Sequence, residues 1–191
     1  MSMIDLFLHH NAQVNLSAIR DPEGVYLKHI FDSLELLNVP VMQDILMKPG
    51  VAIADVGTGW WFPLLALAKR LPHAEFVWID SVRKKLQVIA TIAKTLELKN
   101  VSVVRSRMEE VSEPFNIVTA RAVAHVKKLI PRVQSLLRTG SKLVLYKEYS
   151  EEEKEAITKL LSPHHMMLIG EHRYVLFPGD IQRVIYVLEK L

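Results

Sequence analysis

The 191-residue chain has no cysteine, which excludes disulfides, thiolate zinc sites and any Cys nucleophile. It is also poor in glycine, with seven in the whole chain against a usual share of about 7%, so each glycine points to a backbone need. Long apolar runs are missing. The densest, residues 60–68, is interrupted by Pro63 and falls far short of the roughly 20 residues of a membrane span. The first residues, Met-Ser-Met-Ile-Asp, lack a basic stretch followed by an apolar one, so no secretory signal and a cytoplasmic location are expected. Half of the residues are hydrophobic and 24% are charged, the balance of a folded domain.

Charge is unevenly placed. Residues 82–147 hold 14 Lys/Arg against four Asp/Glu, while the rest holds 10 against 17, for an overall +3. A basic middle between acidic ends suggests a one-sided positive surface for a polyanion, although cations that only solvate helix faces would give the same count.

Short Val/Ile/Leu-rich runs at 51–56, 74–80, 100–104, 115–120 and 142–147 alternate with stretches of helical periodicity at 62–71, 82–96 and 123–137. Apolar strands separated by helices predict a parallel sheet covered on both faces. Beyond them, a charged helix at 150–161 precedes two further strands, 166–170 and 182–189, joined through Phe177-Pro178-Gly179-Asp180 as an antiparallel edge. Residues 4–14, 22–37 and 41–47 are expected to be helical, with Asp21 as N-cap and Pro22 in the first turn. The expected architecture is a small helical cap over 1–48, followed at 49–191 by a Rossmann-like α/β domain whose seven-stranded sheet is mostly parallel.

The sharpest motif is Asp55-Val56-Gly57-Thr58-Gly59 with Phe62-Pro63: a strand entering a tight turn and then a helix. Such a turn lets a ligand approach the backbone, and the helix start offers unpaired N–H groups. Phe62 replaces the third glycine of the dinucleotide fingerprint, and the Gly-Lys-Ser/Thr of a phosphate-binding loop is absent. Asp80, 21 positions beyond Gly59 and ending the next strand run, is suited to hold ribose hydroxyls or to cap the following helix. Arg121 and Lys147 each end a strand, where ligands bind in open α/β sheets. Arg83-Lys84-Lys85 open a helix whose dipole disfavours cations, which suggests phosphate contact. His29 and Asp32 can meet on one helix face. Neither adjacent His pair, His9-His10 or His164-His165, has metal-ligand spacing, so no metal is expected. Trp60 and Trp61 suit either base stacking or core packing.

Asn15-Leu16-Ser17-Ala18-Ile19-Arg20-Asp21-Pro22, Lys28-His29-Ile30-Phe31-Asp32-Ser33, the turn at 55–63, Asp80-Ser81, Arg105 to Glu110 and Thr119-Ala120-Arg121-Ala122 follow in an order that resembles the glucose-inhibited division protein B family of bacterial small-subunit rRNA methyltransferases. The resemblance runs from about residue 10 to Lys147. It implies a class I S-adenosylmethionine-dependent enzyme that methylates N7 of guanine 527 in 16S rRNA, free or within a small-subunit precursor, acting as a monomer without metal or membrane attachment. It further implies cofactor contacts from Gly57, Phe62, Met108, Glu109 and Arg121, with Asp80 on the ribose by analogy with methyltransferases generally and Asp55 and Gly59 expected beside them in the same turn; the placement of the cations adds expected RNA contacts from Arg83, Lys84, Lys85 and Lys147 and substrate orientation by Arg121 and Lys147. Two positions depart from the family. Trp61 stands where glycine is usual, and Lys147-Glu148 stands where Lys-Gly is usual. N7 chemistry needs no general base, and the chain shows neither the Cys of pyrimidine C5 methylation nor the Asn/Asp-Pro-Pro-aromatic run of exocyclic-amine methylation. The alternatives are a methyltransferase-like RNA-binding protein with an impaired cofactor site and a nucleoside-cofactor oxidoreductase.

Overall fold

A computed structural model describes residues 2–14, 17–57, 61–123 and 125–191. Seven strands form one sheet in the order β3-β2-β1-β4-β5-β7-β6: β1 (Ala52–Val56), β2 (Glu75–Asp80), β3 (Val101–Arg105), β4 (Phe115–Arg121), β5 (Leu137–Glu148), β6 (Met166–Leu176) and β7 (Ile181–Lys190). The first five pair in parallel; β7 runs antiparallel between β5 and β6. The strand order reverses at the β1/β4 boundary, so a crevice opens beyond the carboxyl ends of these strands.

Period-two alternation gives each central strand two apolar faces. Ile53, Phe76, Trp78, Ile117, Val144 and Tyr146 point to one layer, with α1 (Met3–Val14), α4 (Pro40–Leu46), α5 (Leu64–Arg70) and α6 (Arg83–Thr95). Ala54, Val56, Val118, Ala120, Leu143 and Leu145 point to the other, with α7 (Val126–Arg132) and α8 (Glu151–Leu161). The helices before β1 therefore share a core with the sheet; Met3, Leu6 and Phe7 belong to it.

Several expected boundaries move for identifiable reasons. The helix expected over 22–37 is broken into α2 (Pro22–Val25), a π-helical turn (Tyr26–Phe31), α3 (Asp32–Leu34) and a 3-10 turn (Glu35–Asn38). Asp21 caps its start through Gly24 N–H at 2.7 Å, and Pro22 occupies the first turn. The helix expected over 123–137 is only α7 plus a 3-10 turn at Gln134–Leu136, since Pro131 cannot donate within a helix. Its last residue, Leu137, instead begins β5, whose polar continuation (Arg138-Thr139-Gly140-Ser141) hides the strand pattern. On α6 the buried face is Leu86, Ile89, Ile92 and Ala93. No described helix is long and apolar enough to cross a membrane.

Candidate functional site

Gly57 follows β1 with φ of +119°, and a Cβ there would lie 2.2 Å from Val123 Cγ2, so the bend admits only glycine without rearrangement. The bend opens on a cleft of about 170 Å³ lined by Gly57, Ile79, Asp80, Ser81, Ser106, Arg107, Met108, Glu109 and Arg132. The sheet order thus gathers Gly57, Asp80, Met108 and Glu109, four of the expected cofactor residues. Asp80 accepts from Val82 N–H at 2.8 Å, just ahead of α6, and lies 3.5 Å from Lys85 Nζ while lining the cleft. That bond falls on the N-cap residue of α6 and not within the helix, so the carboxylate does not cap it, and a carboxylate has lone pairs beyond this one bond. Glu109 pairs with Arg132 at 2.9 Å, and this bond holds its carboxyl below the usual range.

Asp55 and Phe62 line neither this cleft nor the next. Asp55 is buried, and Thr119 Oγ1 donates to it at 2.6 Å. Burial raises its pKa from 3.8 to about 7, against the opposing hydrogen bond from Thr119. Phe62 is buried and stacks on His29, with centroids 5.2 Å apart and planes 6° apart. The expected contact from Gly59, like the stacking role for Trp60, lies outside the described residues.

Trp61 adopts φ of +65°, and its fully buried indole points toward α1, edge-on to Phe7 at 5.3 Å and His10 at 5.5 Å. The ring is core and lines neither cleft. Sequence alone left its direction open.

A second cleft of about 340 Å³ lies at the ends of β4 and β5, walled by Lys28, Asp32, Arg121, Tyr146, Lys147, Glu148, Leu176, Ile181 and Arg183. Arg121 does not project freely into it. Its Nε lies 3.2 Å from Asp32 Oδ2, Nη2 donates to the Lys28 carbonyl and meets His29 Nδ1 at 3.2 Å, and Nη1 reaches the His29 carbonyl and Ser33 Oγ at 3.4 Å. The π-helical turn holds the Lys28 and His29 carbonyls where this guanidinium reaches them. Arg183 grips the same Asp32 bidentately at 2.9 and 3.2 Å, and Tyr174 donates to it at 2.7 Å. Tyr146 donates to the Ser33 carbonyl at 2.8 Å. Desolvation, then the Arg121 charge, lowers the His29 pKa to about 4, so the imidazole is neutral. Lys147 pairs with Glu153 at 2.6 Å, and Glu153 also meets His125 at 3.0 Å.

Arg83 and Lys84 are exposed at the start of α6, and Lys85 turns toward Asp80. No group of three or more His, Cys, Asp or Glu capable of holding a metal occurs among the described residues. The Asp32 pairings with Arg183 and Tyr174 escaped sequence reasoning, because 151 and 142 positions separate the partners. The only hint was that Asp32 sits beside His29 on a helix.

Residues 2–170 match the family model described as rRNA small subunit methyltransferase G. The chain is 32% identical over 192 residues to the ribosomal RNA small subunit methyltransferase G of Streptococcus pyogenes serotype M49, covering 97% of this chain and 79% of that protein. In fold it resembles a SAM-dependent methyltransferase from Aquifex aeolicus, with a TM-score of 0.62 at 18% identity over 88% of this chain and 94% of that one. A ribosomal protein L11 methylase from Lactobacillus delbrueckii gives a TM-score of 0.62 at 17% identity, over 78% and 75% of the two chains.

Proposed function

Because the chain belongs to the rRNA small subunit methyltransferase G family, we propose that it methylates 16S rRNA at N7 of guanine 527, using S-adenosylmethionine. The observation that carries this reading is the cleft in which the Gly57 bend faces Asp80 across the ends of β1 and β2. Its donor set fits an adenosyl group. Asp80 offers a carboxylate to ribose hydroxyls, Ile79 and Met108 offer apolar surface to adenine, and the backbone at Gly57 is open to close approach. When bound, the cofactor supplies a methyl group on a positively charged sulfur. Trp61 leaves this cleft clear, which disfavours the reading of an impaired site.

The N7 atom of neutral guanine carries a lone pair and no proton, so the chain must align and desolvate the base without acting as a base itself. The second cleft is suited to that task, next to the end of β4 and closed on one side by the cap. Arg121 acts there as a positioning residue, since its donors are taken up by Lys28, His29, Ser33 and Asp32. Lys147, braced by Glu153, orients the acceptor strand at the mouth. Arg83 and Lys84 meet RNA phosphates beside the first cleft, with Lys85 shared between RNA and Asp80.

Calorimetric titration with S-adenosylmethionine and with NAD tests the cofactor. Mass mapping of 16S rRNA from cells with and without the gene tests the mark at guanine 527. Binding of the sulfonium cofactor and loss of the mark are expected. NAD binding would favour an oxidoreductase, and binding of neither would favour a non-catalytic RNA-binding protein.

A further inference from the structure

Among the described residues, the most exposed large apolar side chain is Phe177, at 72%. A single exposed ring is unremarkable by itself; its location is not. Because β7 runs antiparallel beside β5, the β6–β7 turn falls at the carboxyl end of the parallel strands. Glu148 pairs with Arg183, and Tyr149 N–H donates to the Gln182 carbonyl at 3.0 Å. The ladder between β6 and β7 is complete to Leu176 opposite Ile181, so residues 177–180 form a tight turn, with positive φ at Gly179 and Asp180.

The two residues that clasp this turn, Leu176 and Ile181, line the second cleft with Lys28, Lys147, Arg121 and Arg183. Phe177, next in sequence to Leu176, therefore lies beside a pocket with four cations and two carboxylates; Arg121 and Arg183 are tied to Asp32 and Lys147 to Glu153, and Lys28 stands outside those ion pairs. A solvent-facing aromatic surface beside positive charge is the combination that binds unpaired nucleotides: the ring takes a base face and the cations take phosphates.

We infer that Phe177 is a stacking platform for an unpaired rRNA base adjoining the methylated nucleotide, which makes the β6–β7 turn part of the RNA-binding surface. This rests on the rRNA methyltransferase reading above. That reading requires the target base to leave its neighbours and enter the cleft, and a ring beside the cleft offers the vacated neighbour a replacement stack.

The test uses the full chain and two readouts. In steady-state methylation of 16S rRNA, Phe177→Ala raises KM for the RNA about tenfold, the loss of one base–aromatic stack, and leaves the Kd for S-adenosylmethionine unchanged. Phe177→Tyr and Phe177→Trp keep KM near that of the unaltered protein, whereas Phe177→Leu behaves like Phe177→Ala. In the second readout, Phe177→Trp fluorescence is quenched by an oligoribonucleotide spanning guanine 527, beyond the change seen with the unaltered protein. The inference is overturned by an unchanged KM in Phe177→Ala, by full rescue with Leu, by the absence of added quenching, or by self-association lost in Phe177→Ala, which would make the ring a contact between copies. If the unaltered protein methylates no rRNA, the proposed activity fails separately, and the quenching titration still decides the stack.

Discussion

Asp32→Asn is expected to destabilise the protein by about 4 kcal/mol. The carboxylate is fully buried and is the counter-charge for both Arg121 and Arg183, while also accepting from Tyr174. Both guanidinium side chains are only 14% exposed, so water from the cleft replaces the lost partner only in part. Removing one member of a buried ionic cluster typically costs about 3–5 kcal/mol, and here a single deletion leaves two cations facing an amide. A folded domain holds about 5–15 kcal/mol in total, so the loss should appear as a large drop in the denaturation midpoint with an unchanged slope. Adding Arg183→Met should recover part of the loss, because it removes one orphaned cation. The cap carries Lys28 on the same turn, so the single variant should also weaken RNA binding more than cofactor binding. A loss below about 1 kcal/mol, or a double variant no better than the single one, would refute the account of this cluster as a charge-balanced tie between cap and sheet.

Three further outcomes are expected. Asp55 holds a proton in the folded state up to about pH 7 that the unfolded chain releases near pH 3.8, so its contribution falls as pH rises through that window, by about 4 kcal/mol; His29 rejects a proton down to about pH 4 that the unfolded chain binds from pH 6.5, so its contribution is lost as pH falls, by about 3 kcal/mol. These slopes oppose, so denaturation midpoints between about pH 4 and 6.5 should be nearly flat, Asp55→Asn should expose a steep acid loss and His29→Gln a gain on acidification. Trp61→Gly relieves about 1 kcal/mol of left-handed strain but removes a buried indole worth about 3–5 kcal/mol, so calorimetry should show a net loss of about 3 kcal/mol. Changing Arg83 and Lys84 together to Glu should weaken RNA binding and flatten its salt dependence by roughly two units of slope; an unaltered slope would remove α6 from the RNA surface.

Much of the fold was legible because strand runs such as 51–56 and 115–120 are apolar on both faces, and only a covered parallel sheet accommodates that pattern. The turn at 177–180 was legible from Phe-Pro-Gly-Asp alone. What was hidden depended on distant partners. The start of β5 was hidden because Leu137 pairs with Phe115 and Lys142 with Ile117, so the polar residues between them span a register shift without a paired residue on β4. The broken helix over 22–38 has an ordinary helical sequence, and its widened turn coincides with the Arg121 guanidinium, contributed by β4. In the site, Gly57, Asp80 and Met108 lie at or just beyond strand ends and could be placed by topology. Arg121 also lies at one, yet its charge is taken up by the cap, a pairing that spacing along the chain cannot reveal.

The position of β7 has a consequence for how the molecule is made. These ten residues are the last of the strands to be synthesised, yet they lie inside the sheet, and they carry the arginine that grips a carboxylate near the start of the chain. Until that strand pairs, the second cleft lacks one wall and the helices before β1 lack one of their anchors. Closure of that hollow joins β7 to the helices before β1, so it waits for the last strand to pair.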